Sequence, residues 1–527
     1  MIYWCEKCKI PILSEKNEGV ICPNCNSQLS LEFKDIRPVF FEEKLLLSII
    51  TKEKLYNKDL WHLYGSIYMV EGEKRRIDYI NKGISPESVL DEFNNKIKSI
   101  SYKDDFSLFI ECNKEYIIKK IQESHDFIQS TINKFKTFIP IVSFSGGKDS
   151  TVVSDLVTDA MSNKKIIHIF GDTTLEFPFT YKYLEAFKNE NEFTPIIEGD
   201  TDKDFMDLCE VFGPPSRVVR WCCSMFKTGP ISQVLHKFPA DNVLTFYGVR
   251  KSESQSRSKY KKVSRSPKIP KQIVASPILD WLDVDVWLYL LFREVKFNYA
   301  YKLGFTRVGC WCCPNNSKRS ELLSSIFMKQ EYDKWYKFLL DFSEKIGKED
   351  YKVYVNEGKW KARQGGYGLD NSQTEVKSKD CNEIDNAKNY ILNKSLTKDI
   401  LEYFKPFGKI KIIKSDKFLE AIITFKKENI LKIQGNLNSK ILKVTALTEN
   451  NTYLLFQRVD CQVRKYQSCV CCSACDSTCP VGAISTINNK YTIDEEICNH
   501  CKKCVAKFSG GCLVNEALYQ AKKAKED

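Results

Sequence analysis

Short apolar runs followed by glycine-containing turns recur in the middle of the 527-residue chain. Phe138–Val142 and Ile166–Phe170 are two such runs, and apolar runs of this length are typical of strands buried on both faces of a sheet. The segment Glu115–Phe135, before the first run, predicts a helix, and another helix is predicted around Val286 and Trp287. The pattern therefore predicts strands and helices that alternate along the chain.

A polar, glycine-rich turn follows the first of these strands and opens a helix. Its residues are Ser145, Gly146, Gly147, Lys148, Asp149 and Ser150. The two glycines allow close approach of the backbone to an anion, the helix N-terminus presents N–H groups, and the lysine adds a positive charge. The spacing differs from that of the G-x-x-x-x-G-K-[ST] loop. We expect this turn to bind a phosphate group, and an ordinary glycine turn is the alternative.

Further polar segments lie downstream in the same part of the chain. Asp172 follows the second strand, where a carboxylate can accept a hydrogen bond from a ribose hydroxyl or hold a metal ion such as Mg²⁺. Cysteines occur in the segments Trp221–Lys227 and Gly309–Pro314. The other candidate nucleotide-binding residues of these segments are Thr173, Gly248, Arg250, Glu253, Ser254 and Arg257.

Taken in order, these motifs closely resemble the phosphoadenosine phosphosulfate (PAPS) reductase family of the adenine nucleotide α-hydrolase superfamily. The resemblance covers about Thr137 to Ser320, with Asp-Thr-x-x-x-Phe-Pro, Gly-x-Arg-x-x-Glu-Ser-x-x-Arg, Pro-Ile-x-x-Trp and Cys-x-x-Cys after the glycine turn. It implies an α/β fold, a doubly wound parallel sheet with an adenine nucleotide at the carboxyl ends of its strands. The catalytic residues that it implies are Lys148, Asp149, Arg250 and Arg257.

The resemblance also implies a [4Fe-4S] cluster beside the nucleotide, since thiolates are the usual ligands of iron–sulfur clusters. Its implied ligands are Cys222, Cys223, Cys310 and Cys313. Cys312 is an extra thiol in the second motif and could replace Cys313 as a ligand. A zinc site or a set of four buried thiols would also be consistent with these cysteines.

Two features depart from the thioredoxin-dependent members of the family. The Glu-Cys-Gly-Leu-His segment whose cysteine takes the sulfo group in those enzymes does not occur in this sequence. The pair Lys148-Asp149 resembles the loop of ATP-using relatives, in which a lysine suits a triphosphate and its pyrophosphate leaving group. The nucleotide therefore stays open between ATP, adenosine phosphosulfate and PAPS.

Cysteines are the second strong signal, because the chain has 22 of them. Two runs near the C-terminus resemble a two-cluster bacterial ferredoxin, in which the fourth cysteine of each run serves the other cluster. The resemblance assigns one [4Fe-4S] cluster to Cys469, Cys472, Cys475 and Cys512. It assigns the second cluster to Cys479, Cys498, Cys501 and Cys504. The gap before the last cysteine departs from the usual spacing, and zinc binding at the eight positions is the alternative.

The other end of the chain carries two Cys-x-x-Cys pairs with the spacing of a zinc ribbon. These cysteines are Cys5, Cys8, Cys22 and Cys25. A module of about thirty residues has too little core to fold without a metal ion. The pattern therefore favours structural zinc over a redox role.

The cysteines and the net charge of the chain indicate its cellular compartment and its partners. Thiolates that bind iron and zinc need a reducing interior, and neither a signal peptide nor an apolar stretch of about 20 residues is found. The sequence therefore predicts a cytoplasmic protein without membrane association. The net charge is +12, and the segment from Arg250 to Lys271 is strongly basic. We expect this segment to form a lid over a small anion, with nucleic-acid binding as the alternative.

Composition and motifs divide the chain into several domains. Leu45–Ile50 and Ser66–Val70 predict strands near the N-terminus. The predicted divisions are a zinc ribbon (1–31), a small β-rich module with a PUA-like fold as candidate (32–100), a catalytic domain with a helical extension (101–346), a linker (365–388), a small α+β module without a recognised motif (389–460) and a ferredoxin-like α+β domain (461–527).

Two enzyme functions fit these features. The leading hypothesis is a sulfonucleotide reductase in which the in-chain ferredoxin domain, fed by a low-potential electron donor, replaces thioredoxin. The alternative is an ATP-dependent sulfurtransferase that adenylylates and thiolates a nucleic acid, either tRNA or DNA. A non-enzymatic electron carrier that senses nucleotide is a third hypothesis.

Overall fold

The computed structural model describes residues 1–16, 19–79, 83, 85–239, 242–364, 366, 369, 376–382, 384–449 and 451–518. Its strands are Ile2–Cys5 (β1), Ile10–Leu13 (β2), Ser30–Phe33 (β3), Arg37–Pro38 (β4), Leu60–Tyr64 (β5), Ile67–Val70 (β6), Glu73–Arg76 (β7), Ile139–Phe144 (β8), Ile167–Gly171 (β9), Ile196–Gly199 (β10), Val243–Tyr247 (β11), Val263–Arg265 (β12), Gln272–Ala275 (β13), Lys377–Asp380 (β14), Ala387–Ile391 (β15), Lys409–Lys414 (β16), Phe418–Phe425 (β17), Glu428–Asn436 (β18), Ile441–Ala446 (β19), Ile484–Ser485 (β20) and Thr492–Ile493 (β21).

The helices of the described residues are Phe41–Thr51 (α1), Pro86–Ser99 (α2), Ser107–Cys112 (α3), Lys114–Lys134 (α4), Lys148–Ala160 (α5), Pro178–Glu190 (α6), Phe205–Phe212 (α7), Trp221–Cys223 (α8), Gly229–His236 (α9), Asp283–Phe292 (α10), Lys318–Phe327 (α11), Lys329–Lys345 (α12), Tyr351–Asn356 (α13), Ile400–Phe404 (α14), Thr452–Ser468 (α15), Lys503–Ala506 (α16) and Leu513–Leu518 (α17). None of the helices in the described ranges combines the length and the apolar character that crossing a membrane requires.

The first of two compact units comprises Met1–Glu198, Ala240–Arg265 and Gln272–Trp335. Its centre is a six-stranded sheet with the order β10-β9-β8-β11-β13-β12. Strands β9, β8, β11 and β13 run parallel, and the edge strand β12 pairs antiparallel with its neighbour β13. The predicted doubly wound α/β fold is confirmed. The chain leaves β8 toward β9 and later returns to β8's other side at β11, which places the ligand crevice of such sheets at these carboxyl ends.

The sheet is stabilised by helices with largely apolar inner faces. In α5, Val152, Val153 and Leu156 are completely buried, as are Val142 of β8 and Val286 of α10. All of these belong to one hydrophobic core. The predicted helix at Glu115–Phe135 is α4, and the predicted first strand is β8.

Two small antiparallel sheets precede the parallel one. Strand β1 pairs with β2 and β3, and the second sheet has the order β4-β5-β6-β7. The predicted strand at Leu45–Ile50 is wrong, because this run lies within helix α1. Most side chains of that helix are buried. A helix that is buried on most sides gives the same short apolar run as a buried strand, so periodicity does not separate the two.

The second compact unit comprises Gly199–Pro239, Ser266–Lys271 and Tyr336–Asp527. It contains a six-stranded antiparallel sheet with the order β14-β15-β19-β18-β17-β16. The segment expected to be a linker, 365–388, includes the edge strand β14 and the start of β15, although part of it lies outside the described residues. Helix α15 continues through position 460, where the sequence placed a domain boundary.

Candidate functional site

The glycine-rich turn lies between β8 and α5, at the carboxyl end of a central strand. Gly146 adopts φ +66°, a left-handed conformation that favours glycine. Gly248 follows the neighbouring strand β11 and packs against the same turn. A Cβ at Gly248 would lie 2.5 Å from the carbonyl carbon of Asp149, so a side chain there would push the turn away. The ends of two adjacent parallel strands therefore meet at this turn.

Hydrogen bonds within the turn fix its shape and leave two donors available. The Ser150 hydroxyl donates to the carbonyl oxygen of Gly147 at 2.8 Å and accepts from the N–H of Ser145 at 3.2 Å. Within the described part of the chain, the N–H groups of Gly146 and Gly147 donate to no protein acceptor. Together with the N-terminus of α5, these two groups present the positive partial charge that suits a phosphate.

Lys148 and Asp149 form a buried network of ion pairs with Arg250 and Asp283. The Nζ atom of Lys148 lies 3.0 Å from Asp149 Oδ2 and 3.0 Å from Asp283 Oδ1. Arg250 Nε lies 2.5 Å from Asp149 Oδ1, and Arg250 Nη2 lies 2.7 Å from Asp283 Oδ1. The side chains of Lys148 and Arg250 are only 4% and 6% exposed. Lys148 and Arg250, two of the cations that the sequence assigns to the nucleotide, are thus engaged by carboxylates.

Burial and charge act in opposite directions within this network. Burial alone would lower the pKa of Lys148, but Asp149 and Asp283 outweigh it and hold that pKa above its usual value. Burial alone would raise the pKa of Asp283, but Lys148 and Arg250 lower it to about 2. All four groups therefore remain charged at neutral pH, and each depends on its partners to do so.

Three residues near this network were missed in the sequence. Asp283 opens helix α10, and its Oδ2 also accepts from Trp287 Nε1 at 3.1 Å. Tyr301 accepts the N–H of Lys148 with its hydroxyl at 3.1 Å. Asp35 caps α10 by accepting the N–H groups of Asp283 and Val284, and burial together with Asp283 raises the pKa of Asp35 to about 6. An acidic residue at a predicted helix start was the one available signal.

Asp172 and Thr173 follow β9, and both have protein partners. Asp172 Oδ1 accepts from the Thr174 N–H and from the Tyr181 hydroxyl, each at 2.8 Å. The buried Thr173 hydroxyl donates to Glu176 Oε1 at 3.1 Å. Glu176 is itself buried and was missed, although it lies within the Asp-Thr-x-x-x-Phe-Pro motif. The side chains of Asp172 and Thr173 therefore stabilise the loop that follows β9.

The Gly-x-Arg-x-x-Glu-Ser-x-x-Arg motif folds into a local turn around Glu253. The Glu253 carboxylate accepts the N–H of Arg250 at 3.0 Å and forms an ion pair with Arg257. The Ser254 hydroxyl accepts the N–H of Arg257 at 3.2 Å. The side chain of Arg257 is 30% exposed, so it is the more accessible of the motif's two arginines.

The four cysteines predicted to bind a cluster in the catalytic domain lie in α8 and in the loop before α11. A hydrogen bond with a neighbouring thiol lowers the pKa of Cys223 to about 6, and Lys268 contributes to the same shift. Cys312 is 2% exposed and is more buried than the cysteines on either side of it in the motif. The four predicted ligands are Cys222, Cys223, Cys310 and Cys313, and their common cluster stays a prediction.

The N-terminal cysteines form a compact group, as the sequence predicts. All four sulfur atoms lie within 4.8 Å of one another. Cys5 Sγ is 3.4 Å from Cys25 Sγ, and Cys8 Sγ is 3.7 Å from Cys22 Sγ. The N–H of Cys8 donates to Cys5 Sγ, as in the turns of Cys-x-x-Cys metal sites. Four thiols in this arrangement suit one tetrahedral metal ion.

The C-terminal cysteines lie in two neighbouring groups. Burial raises the pKa of Cys472 well above its usual value, and the nearby thiols of Cys512, Cys475 and Cys469 add to this effect. In the other group, four cysteines line one shared pocket. These four are Cys479, Cys498, Cys501 and Cys504.

The surroundings of these groups fit iron–sulfur clusters. Within the described residues, the buried hydroxyl of Tyr491 has no hydrogen-bond partner. Burial raises the pKa of Tyr491, and so do the adjacent thiols of Cys504, Cys475 and Cys469. An unpaired buried hydroxyl among thiols suits a group with acceptor atoms of its own, such as the sulfides of a cluster.

The parallel sheet, the glycine turn and its free N–H groups define a nucleotide-binding α/β domain. Residues 139–316 match the family model described as phosphoadenosine phosphosulfate reductase domain. The chain therefore carries a PAPS reductase domain over these residues.

Several known proteins are similar to parts of the chain. The uncharacterized protein MJ0066 of Methanocaldococcus jannaschii is 33% identical over 261 residues, which are 49% of this chain and 52% of that protein. The chain thus spans about half the length of this relative. Adenosine 5'-phosphosulfate reductase 1 of Bacillus subtilis is 26% identical over 187 residues, covering 35% of this chain and 77% of that enzyme. The match to the solved structure of the U34-tRNA thiolase NcsA from Methanococcus maripaludis covers 44% of this chain and 80% of the thiolase chain, with 17% identity and a TM-score of 0.27.

Proposed function

We propose that the protein is an oxidoreductase that reduces the sulfo group of a sulfonucleotide, either adenosine phosphosulfate or PAPS. The observation that supports this most is the combination, in one chain, of a PAPS reductase domain with two grouped sets of four cysteines. Two electrons reduce the sulfur while its bond to the bridging phosphate oxygen breaks. Sulfite and an adenosine phosphate are then the products.

The residues in and around the glycine-rich turn have different roles in this reaction. The N–H groups of Gly146 and Gly147 bind a phosphate of the nucleotide, since they have no other acceptor among the described residues. Arg257, as the accessible arginine, contacts the charged sulfo end. The ion-pair network of Lys148 and Arg250 holds the turn in its binding shape. In this proposal Lys148 acts mainly as a positioning residue.

Three [4Fe-4S] clusters, two in the C-terminal region and one at the PAPS reductase domain, would supply electrons from an external low-potential donor. Cys501 is the exposed member of its group, which suits the entry of electrons from outside. A covalent link between donor and acceptor domains raises their effective concentration to about the millimolar range. The in-chain donor thereby takes the place of thioredoxin.

Metal content is the first expected result. Protein purified without oxygen should contain about twelve iron atoms and one zinc ion per chain, since three cubanes hold about four irons each and the N-terminal thiols hold one zinc. Iron and zinc are measured by mass spectrometry on the intact chain. About eight iron atoms per chain would refute the cluster at the PAPS reductase domain. About four iron atoms or fewer would refute the two C-terminal clusters.

A second candidate function is the ATP-dependent thiolation of a nucleic acid, and one surface favours it. In the sheet of the second unit, alternate residues form the buried face, and most side chains of the opposite face, here called the open face, are partly or fully exposed. Among the described strand residues, Glu420 is the acidic side chain on that open face, where it pairs with Lys432. The lysines that the strand register places there are Lys377, Lys379, Lys409, Lys411, Lys414, Lys432 and Lys443. Such a surface suits a phosphate backbone.

One experiment separates the two functions. The full chain is incubated without oxygen with ATP, adenosine phosphosulfate or PAPS, together with a low-potential reductant, with and without RNA or DNA. Sulfite formed only from a sulfonucleotide supports reduction. Pyrophosphate released from ATP only when nucleic acid is present would instead support thiolation, because it reports adenylylation of the nucleic acid, and sulfur found in the recovered nucleic acid would establish it. Substituting Lys409 and Lys411 by glutamine should then reduce that release.

A further inference from the structure

Lys465, on helix α15, is a fully buried lysine in the C-terminal region, with 0% exposure. Its Nζ donates to the carbonyl oxygen of Cys504 at 2.7 Å. The same atom lies 5.6 Å from the centroid of the Tyr491 ring. Within the described residues, Lys465 forms no ion pair with a carboxylate. The ammonium group therefore lacks the usual counter-ion of a buried lysine.

Lys465 lies beside residues of both cysteine groups. Its helix, α15, ends at Ser468, directly before Cys469 of one group, and Lys465 precedes that cysteine by four positions. Its Nζ donates to the carbonyl oxygen of Cys504, which belongs to the other group. Lys465 is thus shared by both groups.

An unpaired charge in a protein interior is strongly unfavourable, so a buried ammonium needs negative charge beside it. Thiolates that ligate clusters supply such charge, and a cluster with four thiolates is negative overall. Reduction adds one further negative charge. A fixed cation nearby favours the reduced form, since net charge and hydrogen bonds around the sulfurs set the potential of a cluster.

We propose that Lys465 is the buried counter-cation shared by the two C-terminal [4Fe-4S] clusters and that it raises the reduction potential of both. The proposal rests on the clusters of the proposed function. It does not depend on which nucleotide is the substrate. Because one cation acts on both sites, it shifts both potentials in the same direction.

The test compares full-length variants loaded with clusters under anaerobic conditions. Midpoint potentials are measured by redox titration followed by electron paramagnetic resonance. Lys465→Met should make reduction at least about tenfold less favourable at each cluster, which is about 59 mV for a one-electron couple. Lys465→Arg, which keeps the charge, should remain near the original values. Lys432→Met, on the open sheet face, is the matched control for loss of one lysine elsewhere.

The outcomes separate this proposal from the proposed function. A wild-type chain without cluster signals would refute the clusters themselves. Clusters with unchanged potentials in Lys465→Met would refute the role of Lys465 while leaving the clusters in place. If the methionine variant does not fold, Lys465→Gln decides, because its amide can donate to the Cys504 carbonyl without a charge. Wild-type potentials in Lys465→Gln would overturn the proposal, and lowered potentials, or cluster assembly that only arginine preserves, would support it.

Discussion

Substituting Cys501 by serine should lower turnover driven by a low-potential reductant at least about tenfold, because it removes a proposed ligand from the more exposed C-terminal cluster. Cys501 is exposed, so the substitution disturbs little packing. Nucleotide affinity should remain unchanged, since the glycine turn belongs to the other compact unit. Sulfite production and equilibrium nucleotide binding, measured on the same anaerobic preparation, provide the comparison.

Cys381→Ser serves as the control, because Cys381 is a partly buried cysteine outside all the metal motifs. Its activity and iron content should match those of the unaltered chain. A Cys501→Ser protein that has lost about four irons but makes sulfite at full rate would contradict the electron path. A point substitution is preferable to deletion of the C-terminal region, since Gln233 donates to Asp476 at 2.5 Å within the second unit.

Substituting Lys148 by methionine should destabilise the protein by about 3–5 kcal/mol, the usual cost of removing one partner from a buried ion pair. Two carboxylates, Asp149 and Asp283, would then share Arg250 alone. Nucleotide affinity should fall about ten- to a hundredfold, because a turn without this support misplaces the N–H groups that bind phosphate. Urea unfolding and nucleotide titration measure the two effects separately.

Arg257→Ala is the matched control for charge removal, because the pair of Arg257 with Glu253 is partly exposed. Exposed pairs contribute about 1 kcal/mol or less, so its unfolding midpoint should hardly move. Weaker nucleotide binding in Lys148→Met without any loss of stability would show that Lys148 contacts phosphate directly. Loss of stability without weaker nucleotide binding would show that Lys148 stabilises the fold and has no part in nucleotide binding.

The parts of the fold that depend on local pattern could be predicted from the sequence. The turn after β8, helix α4 and the grouping of the four N-terminal cysteines all follow from spacing and periodicity, and the structure confirms them. Helix α1 was predicted as a strand because its continuous apolar run is buried on most sides. The local sequence pattern does not show which other elements pack against a buried segment.

The candidate site was harder to predict because charges meet there from distant positions. Lys148 and Arg250 were expected to face a phosphate, and no local pattern indicated that Asp283 would pair with both. Asp35 lies 248 positions from the residue that it caps. Nothing in its own neighbourhood indicates that partner. Which cation is available to a ligand is decided by such long-range pairing.

The open sheet of the second unit also bears on how the protein behaves at high concentration. Its edge strand β16 exposes backbone groups together with Ile412 and Ile413, a combination that invites a second chain to extend the sheet. The same strand carries Lys409, Lys411 and Lys414, so the β16 edges of two protein molecules repel each other. Salt screens this repulsion over about 8 Å at physiological ionic strength and over shorter distances above it. Concentrated solutions should therefore self-associate more readily as the salt concentration rises.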